Sequence, residues 1–112
     1  MMAAGCAPAA IRMEGDMRPS AALASNRDAV ISTVSGYPVS NLRVFGSVAR
    51  GEDDENSDVD LLIDPLPGLT LFQICGLEIE LERLLGKKVD LVIAEELHRR
   101  IKGRVLAEAK PL

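Results

Sequence analysis

The sequence lacks the features that would place it in a membrane, on a nucleic acid or around a structural metal. No apolar run approaches the ~18 residues that a membrane span needs, so no membrane association is expected. Positive charge is in deficit: 13 Lys and Arg stand against 17 Asp and Glu, a formal net charge of -4. That balance argues against the broad phosphate-backbone footprint of a nucleic-acid binder, and stable binding to DNA or RNA is not expected. Only two cysteines occur, Cys6 and Cys75, with no C-x-x-C pair and no histidine-rich run beside them. The spacings of zinc sites and redox dithiols are therefore missing, which fits a reducing cytoplasm. The single histidine, His98, lies beside Arg99 and Arg100 on an amphipathic stretch and reads as a solvated side chain rather than a catalytic base. Length excludes a second core: 112 residues can bury one.

Met1 to Ala10 is small and apolar but has no basic leader, and Arg12, Glu14 and Asp16 interrupt the next stretch, unlike a signal peptide. Residues 1–19 are expected to be a disordered tail, or the product of an upstream start codon, and residues 20–112 the domain. Within it, Leu23, Val30, Ile31 and Val34 recur at helical spacing, predicting one helix from Ser20 to Ser35, stopped by Gly36 and Pro38. Val39 to Phe45 predicts a strand ending at Gly46, and Ser47 to Gly51 a short helix held by tertiary contacts. Glu52 to Ser57 reads as a solvated acidic turn rather than a cation site.

Val59 to Ile63 predicts a second strand, Thr70 to Leu85 a helix closed by Gly86, and Lys88 to Ile93 a third strand. From Glu95 on, Leu97, Ile101 and Val105 keep a spacing of four, predicting a final helix closed by Lys110 and Pro111. Cys75 falls within an apolar helical pattern and is expected in the core. Helices alternating with strands give an α/β (α+β) fold: a small sheet flanked by helices.

The chemistry-bearing text is Phe45-Gly46-Ser47-Val48-Ala49-Arg50-Gly51, followed after a loop by Ser57-Asp58-Val59-Asp60-Leu61. Side chains alternate along a strand, so Asp58 and Asp60 project from one face with Cα atoms about 6.5–7 Å apart. Two carboxylates on one face repel unless a cation lies between them. Magnesium suits such a place, taking hard oxygen ligands from carboxylates and phosphates. Asp90 interrupts a strand that is otherwise apolar; at a solvated strand end it would mean nothing, but beside the second strand it would complete a cluster with Asp58 and Asp60. Gly46 lets the backbone approach a phosphate, with the Ser47 hydroxyl and the Arg50 guanidinium within reach of a triphosphate. Asp64 shares the parity of Asp58 and Asp60 but precedes Pro65, where it can cap a turn, and no metal role is assigned to it.

Gly46-Ser47, ten residues, then Asp58-Val59-Asp60 resembles the nucleotidyltransferase signature G-S-x10-D-x-D. The flanking residues resemble the minimal nucleotidyltransferase (MNT) family in particular, over roughly Leu23 to Leu106, with Lys88-Val89-Asp90-Leu91-Val92 matching the segment of its third carboxylate. The resemblance implies a polymerase-β-like nucleotidyltransferase core with a mixed sheet. It implies that Asp58, Asp60 and Asp90 are catalytic, Asp58 and Asp60 binding two Mg²⁺ ions and Asp90 the one that activates the attacking hydroxyl. Gly46, Ser47 and Arg50 would hold the triphosphate of ATP or another NTP. With little sequence after Asp90, the acceptor is expected on a partner, typically in this family a HEPN-domain toxin whose tyrosine receives AMP, the present chain being its antitoxin. Two other readings stay open: an antitoxin that neutralises by covering its partner with the metal site idle, and a transferase acting on a small molecule such as an aminoglycoside.

Overall fold

A computed structural model describes residues 18–112, so the expected tail lies outside the described residues except for its last two positions. Those two belong to the fold: Pro19 is buried at the start of the first helix, and Arg18 pairs with Asp53 in the loop before the second strand. The elements run α1 (Pro19–Ser25), α2 (Arg27–Val34), β1 (Val39–Phe45), α3 (Gly46–Arg50), β2 (Val59–Pro65), α4 (Leu71–Leu85), β3 (Val89–Ile93), a 3₁₀ turn (Ala94–Glu96), α5 (Arg99–Glu108) and β4 (Lys110–Pro111).

Where one helix was expected from Ser20 to Ser35, two form. Asn26 leaves the helical region (φ -117°, ψ 20°), and its side-chain amide donates to the Ala22 carbonyl at 2.8 Å. A short polar side chain bonding local backbone competes with the helix ladder, which explains the break. The last helix is also shorter than its apolar spacing suggested. A 3₁₀ turn and extended residues precede it, and His98 caps it, Nδ1 accepting from the Arg100 N–H at 3.1 Å. Lys110 and Pro111, expected to close that helix, instead pair as β4 with Val44 and Arg43 of β1.

The four strands form one mixed sheet in the order β3-β2-β1-β4, with β1 antiparallel to both neighbours and β2 parallel to β3. Strand parity divides its two faces. Val59, Leu61 and Ile63 of β2, with Val89 and Leu91 of β3, point towards α1, α2 and α4, where Leu77, Leu81, Leu85, Val30 and Val34 complete the main core. On the other face Leu62 packs with Ala94 and Val105 under α5. Asp60 and Asp90 share this second face.

Two tertiary devices hold the site-bearing segments in place. Strand β3 is a sheet edge, and its outward Val89 and Leu91 N–H groups donate to Glu82 (3.1 Å) and Glu78 (2.9 Å) of α4. Four helical residues advance about 6 Å and two strand residues about 6.6 Å, so carboxylates at i+4 and i match amides at j and j+2. An edge that would otherwise invite another strand is thereby occupied. The second device is Asp53. It lies in the loop expected to be a solvated turn, yet it is 3% exposed, accepting from the Ser20 N–H at 2.8 Å and from Arg18 at 3.1 Å. Burial works to raise its pKa, but the bonds from Ser20 and the charge of Arg18 outweigh it and hold the carboxyl below the usual carboxylate range.

The outward side of α4 departs from expectation. Cys75 is exposed rather than core, and it shares that surface with Leu71, Phe72 and Ile79. Among the described residues no helix is long and apolar enough to cross a membrane. Because Asp53 satisfies an otherwise orphaned N–H in the first turn of α1, Asp53→Ala is expected to lower unfolding free energy by about 1–3 kcal/mol in urea titrations. Asp53→Asn, whose amide oxygen can still accept from Ser20, is expected to cost less.

Candidate active site

Strand β1 ends at Phe45, and the antiparallel register places Phe45 opposite Asp60. The parallel register of β2 and β3 then places Asp60 opposite Asp90. Neighbouring strands are about 4.8 Å apart, so the two aspartates stand side by side on one face without any loop to position them. Asp58 lies immediately before β2 and is exposed. The loop leading to it is ordered by its own polar groups: the Asn56 N–H donates to Asp54 at 2.8 Å and the Asp54 N–H to the Ser57 hydroxyl at 2.9 Å.

Gly46 follows Phe45 with φ +75°, a conformation side chains resist. A second constraint acts there: a Cβ on Gly46 would fall 2.3 Å from Asp60 Oδ2. The turn favours glycine, and a methyl group there would force the Asp60 carboxylate aside. Ser47 is half-buried in the first turn of α3, its carbonyl accepting from the Glu52 N–H at 2.9 Å to close the loop.

Asp60 feels the charge of both other aspartates. Burial, then the charges of Asp90 and Asp58, push the Asp60 pKa up to about 6, with Arg50 opposing and Glu108 adding to the rise. A carboxylate held in that environment is short of positive charge. Among the described residues no three His, Cys, Asp or Glu side chains close into a ready-made metal cage. The structure thus sets Asp60 and Asp90 together, with Asp58 near enough to act on Asp60 by charge.

Arg50, expected to reach a triphosphate, is paired with carboxylates in this structure. Its Nε donates to Glu52 at 2.8 Å, and one terminal nitrogen donates to both oxygens of Glu108 at 3.1 and 3.2 Å. Glu108 also accepts from the Gly46 N–H at 2.8 Å. That N–H, set against the cost of burial and joined by Arg50, holds the Glu108 carboxyl below its usual range. Sequence reasoning missed Glu108. It stands 62 residues from Gly46, at the end of a helix whose docking depends on β4 pairing with β1, and no local spacing announces it. Asp64 is engaged away from the cluster, accepting from Arg43 at 2.7 Å and Asn41 at 3.0 Å.

Comparison with known proteins accords with this geometry. The family described as polymerase beta, nucleotidyltransferase, matches residues 29–112. A Methanocaldococcus jannaschii protein provisionally named a protein adenylyltransferase is 38% identical over 80 residues, 71% of this chain and 86% of that one. Protein adenylyltransferase MntA of Thermococcus cleftensis is 44% identical over 72 residues, 64% of this chain and 73% of that one. Among solved structures, one provisionally named a minimal nucleotidyltransferase superposes with a TM-score of 0.74 at 46% identity, covering 80% of this chain and 92% of that chain. A toxin-antitoxin structure with AMP-PNP gives a TM-score of 0.68 at 23% identity over 77% of this chain and 71% of that one, a likeness of fold alone. The chain therefore belongs to the polymerase β nucleotidyltransferase family and is an enzyme that transfers nucleotidyl groups.

Proposed function

We propose that the protein transfers AMP from ATP, with Mg²⁺, onto a hydroxyl of a partner protein in the cytoplasm, acting as the antitoxin of a pair whose toxin carries a HEPN domain. The observation that carries the reading is Asp60 standing beside Asp90 in register, against a glycine that leaves room for its carboxylate. The donor set fits magnesium: hard carboxylate oxygens, one of them half-buried and with its pKa pushed up to about 6 by burial and then by like charge. Bound there, the metal would supply positive charge at the transferring phosphoryl group and a position for the attacking hydroxyl.

The chain's own residues supply the rest. Asp58, Asp60 and Asp90 would hold the cations. The Gly46 N–H, the Ser47 hydroxyl and Arg50 bind the triphosphate and orient its α-phosphorus. The acceptor oxygen attacks that phosphorus in line, its bond to AMP forms as the bond to pyrophosphate breaks, and pyrophosphate leaves. No covalent enzyme intermediate is required.

The names of the relatives support a protein acceptor, and the toxin-antitoxin neighbours support the partner class. Surface character agrees. Phe72 is 88% exposed and Leu71 76%, with Ile79 and Cys75 following along α4, an apolar stripe of the sort a lasting partner covers.

Purified together with its partner and given ATP and Mg²⁺, the wild-type protein is expected to make the partner heavier by whole AMP units on intact-mass spectrometry, whereas Asp58→Asn or Asp60→Asn leaves the mass unchanged. A partner of constant mass that Asp60→Asn still neutralises would point to a pure binding module. Labelling with ATP, GTP, CTP and UTP, with and without the partner, would reveal a small-molecule acceptor. Gly46→Ala should cut transfer by about 100-fold while the protein still folds, because the methyl displaces the Asp60 carboxylate.

The raised Asp60 pKa sets a pH signature. Its folded value near 6 exceeds the unfolded value of about 3.9, so the folded state binds the proton more tightly and this group's contribution to stability declines as pH rises through that window. Without metal, Asp60→Asn should melt above wild type at pH 7.5, and the gap should narrow at pH 5. Mg²⁺ at pH 7.5 should raise the wild-type melting temperature and leave that of Asp60→Asn nearly unchanged.

A further inference from the structure

The Gly46 N–H and the Arg50 guanidinium are the donors assigned to the triphosphate, and in the structure both are taken by one carboxylate. Glu108 Oε2 accepts from Gly46 at 2.8 Å and from Arg50 at 3.2 Å, and Oε1 accepts from Arg50 at 3.1 Å. A carboxylate placed this way reproduces what a phosphate would do there: two oxygens, one on a backbone amide and both on a guanidinium. Two anions cannot share that single N–H, and their charges repel at such range. We propose that Glu108 is an internal competitor for the nucleotide, a phosphate mimic that closes the site until ATP displaces it; the inference rests on the nucleotide-binding reading of Gly46, Ser47 and Arg50.

The fold suits a displaceable plug. Glu108 is the last residue of α5, beyond which two residues of β4 and a bond from the Leu112 N–H to Leu42 fasten the segment to β1. Its side chain can therefore rotate away without unseating the helix. Arg104, one turn earlier on α5, already exerts a favourable charge on Glu108 and offers the released carboxylate a partner at i-4. Arg50 keeps its bond to Glu52 throughout, so the guanidinium stays in place when Glu108 departs. Glu108 also adds negative charge beside Asp60, and its rotation would remove one unfavourable contribution as the cations enter.

A plug and a structural clamp differ in sign. If Glu108 only braces α5 against α3, removing its charge lowers stability and weakens nucleotide binding. If it competes, removal lowers stability slightly but tightens binding, because the binding-competent state no longer has to be freed. Titration calorimetry of the full chain with Mg²⁺ and ATP distinguishes them, using wild type, Glu108→Gln, Glu108→Ala and Asp60→Asn, each checked for folding by thermal melting. Glu108→Gln and Glu108→Ala are expected to bind ATP about three- to tenfold more tightly than wild type, while Asp60→Asn binds more weakly. Unchanged or weaker binding by both Glu108 variants, with wild type binding and Asp60→Asn impaired, overturns the plug and leaves the transferase reading standing. Absence of ATP binding in wild type and Glu108 variants alike overturns both.

Discussion

Like charges repel, and this fold sets two carboxylates next to each other by a register that strand pairing fixes. The parallel ladder between β2 and β3 makes Asp60 and Asp90 neighbours, and the antiparallel ladder between β1 and β2 brings the Gly46 turn against the same carboxylate. Slipping either pairing by one residue would move an aspartate to the apolar face. The buried Val59, Leu61 and Ile63 on that other face forbid such a slip, so packing of the main core enforces the electrostatic strain of the site. What the fold stabilises in apolar contact it partly gives up in unneutralised charge.

That deficit of positive charge shapes everything near it. Arg50 is the cation closest in influence to Asp60, and it is already divided between Glu52 and Glu108. The donors on the glycine turn are likewise satisfied by a carboxylate from the far end of the chain. The site in this state is rich in anions, paired where donors exist and repelling where they do not. Such an arrangement leaves the aspartates in want of positive charge.

Outside the site, acidic side chains do structural work at three places, which gives the acidic balance of the sequence a second meaning. Glu78 and Glu82 close the open edge of β3, and Asp53 joins the loop before β2 to the start of α1. Asp64 accepts from Arg43 and Asn41 where the pairing of β1 with β2 shifts register between Ser40 and Arg43. Each uses a carboxylate to satisfy backbone or guanidinium donors that strand and helix ladders leave over. The loop between Gly46-Ser47 and Asp58 is thereby anchored in its middle by a buried group.

The sequence by itself determined the elements around the site, because each is written in short-range pattern: β-branched runs for β1, β2 and β3, a closing glycine for α4, and glycine at the turn after β1. The motif Gly46-Ser47 and Asp58-Val59-Asp60 was legible for the same reason, as was the α/β class. The break at Asn26, the burial of Asp53, the exposure of Cys75 and the strand at Lys110–Pro111 were not, since each depends on which distant segment packs alongside. Only the tertiary structure decided that Asp90 stands beside Asp60, and that Glu108 reaches Gly46 across 62 residues. Hydrogen bonds and charges between remote segments leave no periodicity in the chain, because chain closure rather than local spacing brings their partners together.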